Sequence, residues 1–363
     1  IDENDPEVLY TAMHHAREPG ALSQLIFYMY YLLENYASDS SIVNLVNNTE
    51  MYFIPMVNPD GYIYNETTNP TGGGMWRKNR RDNGDGTFGV DLNRNYGYFW
   101  GYDNTGSSPT TNSETYRGTS AFSEPETQAV KFMAETHNFK IALNYHTYGN
   151  LLIYPWGYDY SLYTPDSAIF VEYSKLMTLE NSYTYGTGDQ TVGYITNGDS
   201  DDWMYGEQGT KPKMLSCTPE VGTSSDGFWP PQSRIIPQCQ ESVWQNLTMA
   251  RLVFKYAVAE DISPTYFPKQ TGYIDFVIQR LGLDSPASFT VEILPLGFGI
   301  DSIGGAKVYT GMSLMEQRAD SFYYSLDTAI KAGQQFSYIL SVDNGIYVNR
   351  DTITKIYGQT TSY

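Results

Sequence analysis

Up to about residue 260 the chain alternates short continuous apolar runs with longer stretches of helical period, and beyond that point only short alternating runs remain. EVLYTAM, at residues 7–13, reads as a buried strand, and LSQLIFYMYYLLENYA after it carries the apolar face of a helix begun near Glu18. MYFIPMV is a second apolar run. It is closed by Asn58-Pro59-Asp60-Gly61, a turn sequence in which proline sets φ and glycine permits a positive one. Gly72 to Gly74 and Asp82 to Thr87 read as exposed loops. PETQAVKFMAETH predicts a helix with proline in its first turn, KIALNYH a strand, DSAIFVEYSKLMTLE a helix, and PQCQESVWQNLTMARLVFKYAVAE one long closing helix. Strands alternating with helices predict an α/β fold: a mixed, mostly parallel sheet covered by helices on both faces, with ligands at the carboxyl ends of the strands.

After Asp261 the pattern changes. SPTYFPKQ is a proline-punctuated linker, and GYIDFVIQ, SFTVEILPL, AKVYT, SFYYSL and QFSYILSV follow with glycine and aspartate turns between them. This spacing predicts a small antiparallel β-sandwich, so the domains are drawn at 1–262 and 263–363. No repeat at a fixed period and no low-complexity tract interrupts either part.

The net charge of −19 disfavours nucleic acid and anionic membrane surfaces as partners. No run approaches the roughly 20 apolar residues of a membrane span, and IDENDPEV has none of the basic and apolar regions of a signal peptide. With 33 tyrosines and only 17% charged residues, the composition suits a secreted or periplasmic protein, an exported one having already lost its signal. Cys217 and Cys239 are too few for a disulfide scaffold or a zinc ribbon; they form one bridge or stay as thiols.

The candidate chemistry starts at His14-His15-Ala16-Arg17-Glu18, where an imidazole and a carboxylate stand three positions apart as strand gives way to helix. Catalytic zinc commonly takes two histidines and a glutamate, two of them close in sequence and the third distant, with a fourth position open to water. Of the four histidines, His137 ends a helical pattern as a surface residue would, which leaves His146, between two strand-like runs, as the distant donor. Taken alone the spacing is a weak signal, because most histidines bind nothing.

Four further segments strengthen it: MWRKNR, GVDLNRNYGYFWG, TVGYITNGDSDDWMY and KMLSCTPEVG. Together with HHAREP and NYHTYGNLLIYP, and in that order, the chain from Glu7 to about Glu260 resembles the funnelin zinc carboxypeptidases of the A/B subfamily, most of all the bacterial carboxypeptidase T type. The resemblance implies one zinc per chain, held by His15, Glu18 and His146, with Glu220 as general base and Arg77 stabilising the oxyanion. It implies that Asn93, Arg94 and Tyr194 bind the free carboxylate of a peptide or protein C-terminus, that Arg17 lines the cleft, and that Asp91 orients the first ligand histidine. Side-chain preference would be set near Gly157, Thr196, Asp199, Asp201 and Thr218, with an acid at Asp199 or Asp201 admitting basic as well as apolar ends; as plain sequence, GDSDDW reads as a solvated turn. The same fold also carries amidases and cell-wall peptide hydrolases, and a binding protein without turnover is the third class. Three departures accompany the likeness. The chain begins at the strand feeding His15, where the family has an earlier helix and hairpin; Gly74 stands in place of a second cleft arginine; and the segment from Trp203 to Glu220 is a few residues longer, with Pro219 replacing a bulky residue.

Overall fold

The computed structural model describes residues 5–358. Two compact units divide the chain after Ala250.

In the first unit, β1 (Glu7–Ala12) leads into α1 (Pro19–Asn35), then α2 (Ser40–Asn47), β2 (Glu50–Ile54) and α3 (Pro59–Thr68). After a long irregular stretch come α4 (Pro125–Thr136), β3 (Phe139–Tyr145), β4 (Leu151–Ile153), α5 (Ser167–Met177), β5 (Thr184–Gly186), α6 (Gly188–Thr191), α7 (Ser200–Gly206), β6 (Leu215–Glu220), α8 (Gln232–Glu241) and α9 (Val243–Leu252). The six strands form one sheet in the order β2-β1-β3-β6-β4-β5. Only the β4–β6 pair is antiparallel, so the sheet is mixed and mostly parallel, as the alternating pattern predicts. β1 and β3 are adjacent interior strands, and their residues 8–12 and 141–145 are all buried, which is why both read as continuous apolar runs.

Three local readings are corrected. Asn58-Pro59-Asp60-Gly61 starts α3: the Asn58 side chain accepts from the Gly61 N–H at 3.0 Å and Pro59 takes the first helical turn. Gly61 is needed for closeness, since a Cβ there would lie 2.6 Å from the Lys78 carbonyl oxygen. The long closing helix breaks at Ser242, whose hydroxyl donates back to the Gln238 carbonyl at 3.2 Å, and its last predicted turn is a strand, β7 (Ala257–Asp261).

β7 opens the second unit, followed by β8 (Tyr266–Phe267), β9 (Thr271–Arg280), β10 (Ser288–Leu296), β11 (Ile300–Ile303), β12 (Lys307–Thr310), β13 (Gln317–Leu326), β14 (Gln335–Asp343) and β15 (Val348–Tyr357). Because β7 pairs along β9, the unit begins before the proline-punctuated linker at which the 262/263 boundary is drawn. The sheets run β12-β10-β14-β15-β8 and β11-β13-β9-β7, antiparallel except for the β15–β8 pair. Alternate residues of each long strand, among them Ile274, Phe276 and Ile278 on β9 and Phe289, Val291 and Ile293 on β10, meet in one core. This strict period of two is what makes a sandwich legible.

Candidate active site

Three adjacent parallel strands, β1, β3 and β6, end on the same side, and each carries a candidate group just beyond or at its carboxyl end. β1 leaves the sheet through Met13, whose φ of 59° is uncommon for a side-chain-bearing residue. The two histidines that follow then part. His14 turns into the core, its Nε2 2.8 Å from the Tyr96 hydroxyl, while His15 turns to a cleft. Glu18 stands at the N-cap of α1 yet makes no capping bond. Its carboxylate faces the histidines instead: Oε1 is 2.8 Å from His15 Nδ1 and Oε2 is 2.9 Å from His146 Nδ1. His146 follows β3 directly, and its Nδ1 is 3.0 Å from His15 Nδ1.

These three residues are buried and converge as a candidate metal-ligand group. Two imidazole nitrogens and a carboxylate can all donate electron pairs to one cation, and they lie close enough together to share it. Ligands tetrahedral about zinc at about 2.0–2.1 Å stand about 3.3 Å from one another, close to the spacings here. The donor set fits the ion. The acceptor on the far side of His15 is Asp91, whose Oδ1 lies 3.1 Å from Nε2, fixing the ring so that Nδ1 points at Glu18. Burial opposes ionisation of Glu18, but the neighbouring His15 and His146 outweigh it and hold the carboxyl well below its ordinary range.

Glu220 ends β6 beside His146. The His146 N–H donates to the Pro219 carbonyl at 2.9 Å and the Val221 N–H to the His146 carbonyl at 2.9 Å, so this ladder fixes the two side chains relative to each other. Glu220 Oε2 is buried without a hydrogen-bond partner. Burial pushes the carboxyl up to about 8; His146 and Arg77 pull it down, and the Glu18 charge adds to the rise.

A cleft of about 340 Å³ gathers His15, Glu18, His146, Glu220, Arg77, Asn93, Arg94, Tyr194, Arg17, Asp199 and Asp201, so every candidate site residue of the sequence reading except the fully buried Asp91 lines it. Arg94 is held by its own neighbours, Nε donating to the Gly106 carbonyl at 2.8 Å and Nη1 to that of Asn93 at 2.7 Å. Asn93 accepts from the Ser200 N–H at 2.9 Å, which turns its amide nitrogen to within 3.4 Å of His146 Nε2. Tyr194 is half exposed. The Arg17 guanidinium lies 4.4 Å from the Phe228 ring centroid and 3.4 Å from Glu114. Where the second cleft arginine is replaced, no side chain fits: a Cβ on Gly74 would come within 2.5 Å of Asn65 Oδ1.

GDSDDW is not a solvated turn. Asp199 caps α7, accepting from the Asp202 N–H at 2.8 Å, and Asp199, Asp201 and Asp202 are all buried. Asp201 Oδ1 accepts from Asn144 Nδ2 at 2.8 Å and Ser216 Oγ at 2.6 Å, and Asp199 also accepts from the Thr196 hydroxyl. Burial, reinforced by the Asp199 charge, pushes Asp201 up to about 6. Gly157 closes this wall because a Cβ there would lie 2.7 Å from Asp199 Oδ2.

Sequence reasoning missed Asp202, Phe228 and the contact of Arg77 with Asp91. Asp202 accepts from the Gly157 and Tyr158 N–H groups at 2.9 and 3.0 Å and so anchors the segment that packs against Asp199; a run of acids at a helix start was its only signal. Elsewhere, His137 is half-buried against Tyr52 and Phe139, and Cys217 and Cys239 are buried, unpaired thiols. No helix among the described residues is long and apolar enough to cross a membrane.

Comparison with known proteins gives the same region a family. A model of the zinc carboxypeptidases matches residues 2–245. The chain is 34% identical over 250 residues to carboxypeptidase B of Bos taurus, covering 66% of this chain and 57% of that protein. It is 32% identical over 253 residues to mast cell carboxypeptidase A of Mus musculus, with the same coverage of 66% and 57%. It thus spans less than two thirds of the length of these relatives. Among solved structures, thrombin activatable fibrinolysis inhibitor superposes with a TM-score of 0.60 at 29% identity, covering 69% of this chain and 62% of that one. The carboxypeptidase A of Helicoverpa armigera gives 0.57 at 29% identity, covering 69% and 61%. With its histidine–glutamate donor set at the ends of β1 and β3 and a family match extending over most of its length, the chain belongs to the zinc carboxypeptidase family.

Proposed function

We propose that the chain is a zinc-dependent exopeptidase that hydrolyses the C-terminal peptide bond of peptides and accepts both basic and apolar end residues. The observation that carries this reading is a single cleft in which the His15–Glu18–His146 donor set lies beside an unpartnered Glu220 oxygen and a guanidinium, Arg94, fixed by backbone carbonyls. His15 and His146, through Nδ1, and Glu18, through its carboxylate, would hold the metal. When bound, zinc polarises the scissile carbonyl and, as a divalent charge, draws Glu220 toward its ionised form. Glu220 takes a proton from the attacking water at its free oxygen and delivers it to the departing amine. Arg77 stabilises the charge that develops on the carbonyl oxygen, in a cleft where a fixed cation is worth far more than in water. Arg94, aided by Asn93 and Tyr194, binds the terminal carboxylate, and Arg17 lines the approach beside Phe228.

The test compares benzoyl-glycyl dipeptides carrying a free or an amidated C-terminus. Cleavage of the free acid should fall by about 10² or more on amidation, the loss of one charge-assisted pair of contacts in a buried site. Equal cleavage of both forms would replace the exopeptidase reading with an amidase.

Acceptance of basic ends rests on Asp201 and Asp199, buried acids whose hydrogen-bond partners are neutral. A lysine or arginine end gains a charge-assisted bond there, about 1.5–3 kcal/mol or roughly tenfold to a hundredfold in kcat/KM. Asp201→Asn should lower the Lys-to-Leu ratio by that factor and spare Leu. The sign of the pH dependence follows: an acid raised to about 6 carries its charge only above that value, so the Lys-to-Leu ratio rises as pH climbs through about 6. That rise flattens in Asp201→Asn. An unchanged ratio and an unchanged slope in both Asp201→Asn and Asp199→Asn would remove the acids from the pocket's selectivity.

A further inference from the structure

We infer that Asp91 is a positioning residue for Arg77, so that one buried carboxylate aligns the metal donors and the oxyanion-binding cation together; this rests on the exopeptidase reading. Asp91 opens the tight turn Leu92–Arg94 and has no solvent exposure. Its two oxygens divide their work. Oδ1 accepts from His15 Nε2 at 3.1 Å and from the Asn93 N–H at 3.0 Å. Oδ2 accepts, among the described residues, from Arg77 alone, from Nε at 3.1 Å and Nη2 at 2.8 Å.

The pairing decides what Arg77 can offer. A guanidinium is a planar fork of donors, and with Nε and Nη2 engaged on Asp91 its plane is set and Nη1 is left to face the cleft. That nitrogen is 3.9 Å from Glu18 Oε1, so a second buried carboxylate competes for the same cation. Were Arg77 to close on Glu18, it would take up lone pairs that the metal needs and withdraw from the carbonyl of the substrate. Asp91 holds it back. The main chain is tied in the same sense, because the Arg77 carbonyl accepts from the Ala16 N–H at 2.9 Å and from Asn58 Nδ2 at 3.3 Å, binding the arginine's own segment to the loop that carries His15 and Glu18.

The experiment is a double-mutant cycle on the zinc-saturated protein with Asp91→Asn, Arg77→Ala and the pair. Removing an oxyanion donor costs about 10²–10³ in kcat, which sets the expectation for Arg77→Ala. Asp91→Asn should lose about tenfold to a hundredfold in kcat with KM within about twofold, and the double variant should fall no more than about threefold below Arg77→Ala. A double loss equal to the product of the single losses would overturn the inference, as would wild-type kcat in Asp91→Asn. Two measurements need no turnover. Affinity for a phosphonate dipeptide, whose tetrahedral anion stands in for the oxyanion, should drop in Asp91→Asn by the same factor as kcat, while affinity for a free amino acid that occupies only the carboxylate clamp stays. If Asp91→Asn does not fold, Arg77→Lys serves: it keeps the charge but cannot bridge Asp91 and the cleft at once, so it should lie within about threefold of Arg77→Ala, and wild-type turnover in it overturns the inference. A parent protein that cleaves no peptide would sink the exopeptidase reading, whereas the phosphonate comparison judges Asp91 and Arg77 separately.

Discussion

Glu220→Gln is expected to lower kcat by about 10²–10⁴, the range that general-base assistance usually supplies, or more because one group serves both the water and the departing amine. The substitution changes little else. The amide is nearly isosteric, and the contacts that align position 220 with His146 are made by backbone atoms of His146, Pro219 and Val221, which the side chain does not alter. Zinc content and affinity for a non-hydrolysed peptide should therefore hold, and the whole loss should appear in kcat. Glu220 suits the role because one of its oxygens is buried and unclaimed, so it is not already spent on a structural bond. Burial favours its protonated form, with His146 and Arg77 opposing, so turnover should rise with pH as the carboxylate forms and that rising limb should vanish in Glu220→Gln. Elemental analysis and steady-state kinetics on the same preparation decide it. Near-parental turnover would move the base to another acid of the cleft.

How far the chain could be read without its structure depends on the range of the contacts involved. β1, β3 and their flanking helices were legible because their apolar runs report burial directly, and the sandwich because alternate residues such as Ile274, Phe276 and Ile278 face one core. The residues 257–261 were not: AVAED has helix-forming composition, and only pairing with β9 across the second unit makes it a strand. The burial of Asp201 and Asp202 was hidden for a related reason. Acids beside one another suggest solvent until a distant Asn144, Ser216 and the Gly157 and Tyr158 amides are known to satisfy them. The site residues themselves were reached through motif likeness, whereas the division of Asp91 between His15 and Arg77 needs coordinates, since those residues lie far apart in sequence.

His146→Ala is expected to abolish stoichiometric zinc and with it turnover, and the effect should extend to stability. The donor set has two imidazoles and one carboxylate, each within 3.0 Å of the others, so deleting one leaves a pair that cannot enclose the ion. It also strips Glu18 of one of the two partners that offset its burial. Leaving a buried carboxylate without one of its hydrogen-bond partners typically costs about 1–3 kcal/mol, so the variant should unfold at lower temperature than the chelated parent as well as the zinc-loaded one. The parent should gain from the metal: zinc at a hundredfold excess over Kd stabilises by about 2.7 kcal/mol if it binds only the folded chain. That increment separates a bound ligand from a merely structural histidine, because His146→Ala should show no zinc-dependent shift whatever its own starting stability. Thermal unfolding of parent and variant, each with chelator and with added zinc, gives the four values required. Full zinc occupancy and an unchanged increment in His146→Ala would mean that the metal is held elsewhere, and that the close approach of His15, Glu18 and His146 is a hydrogen-bonded cluster of the core.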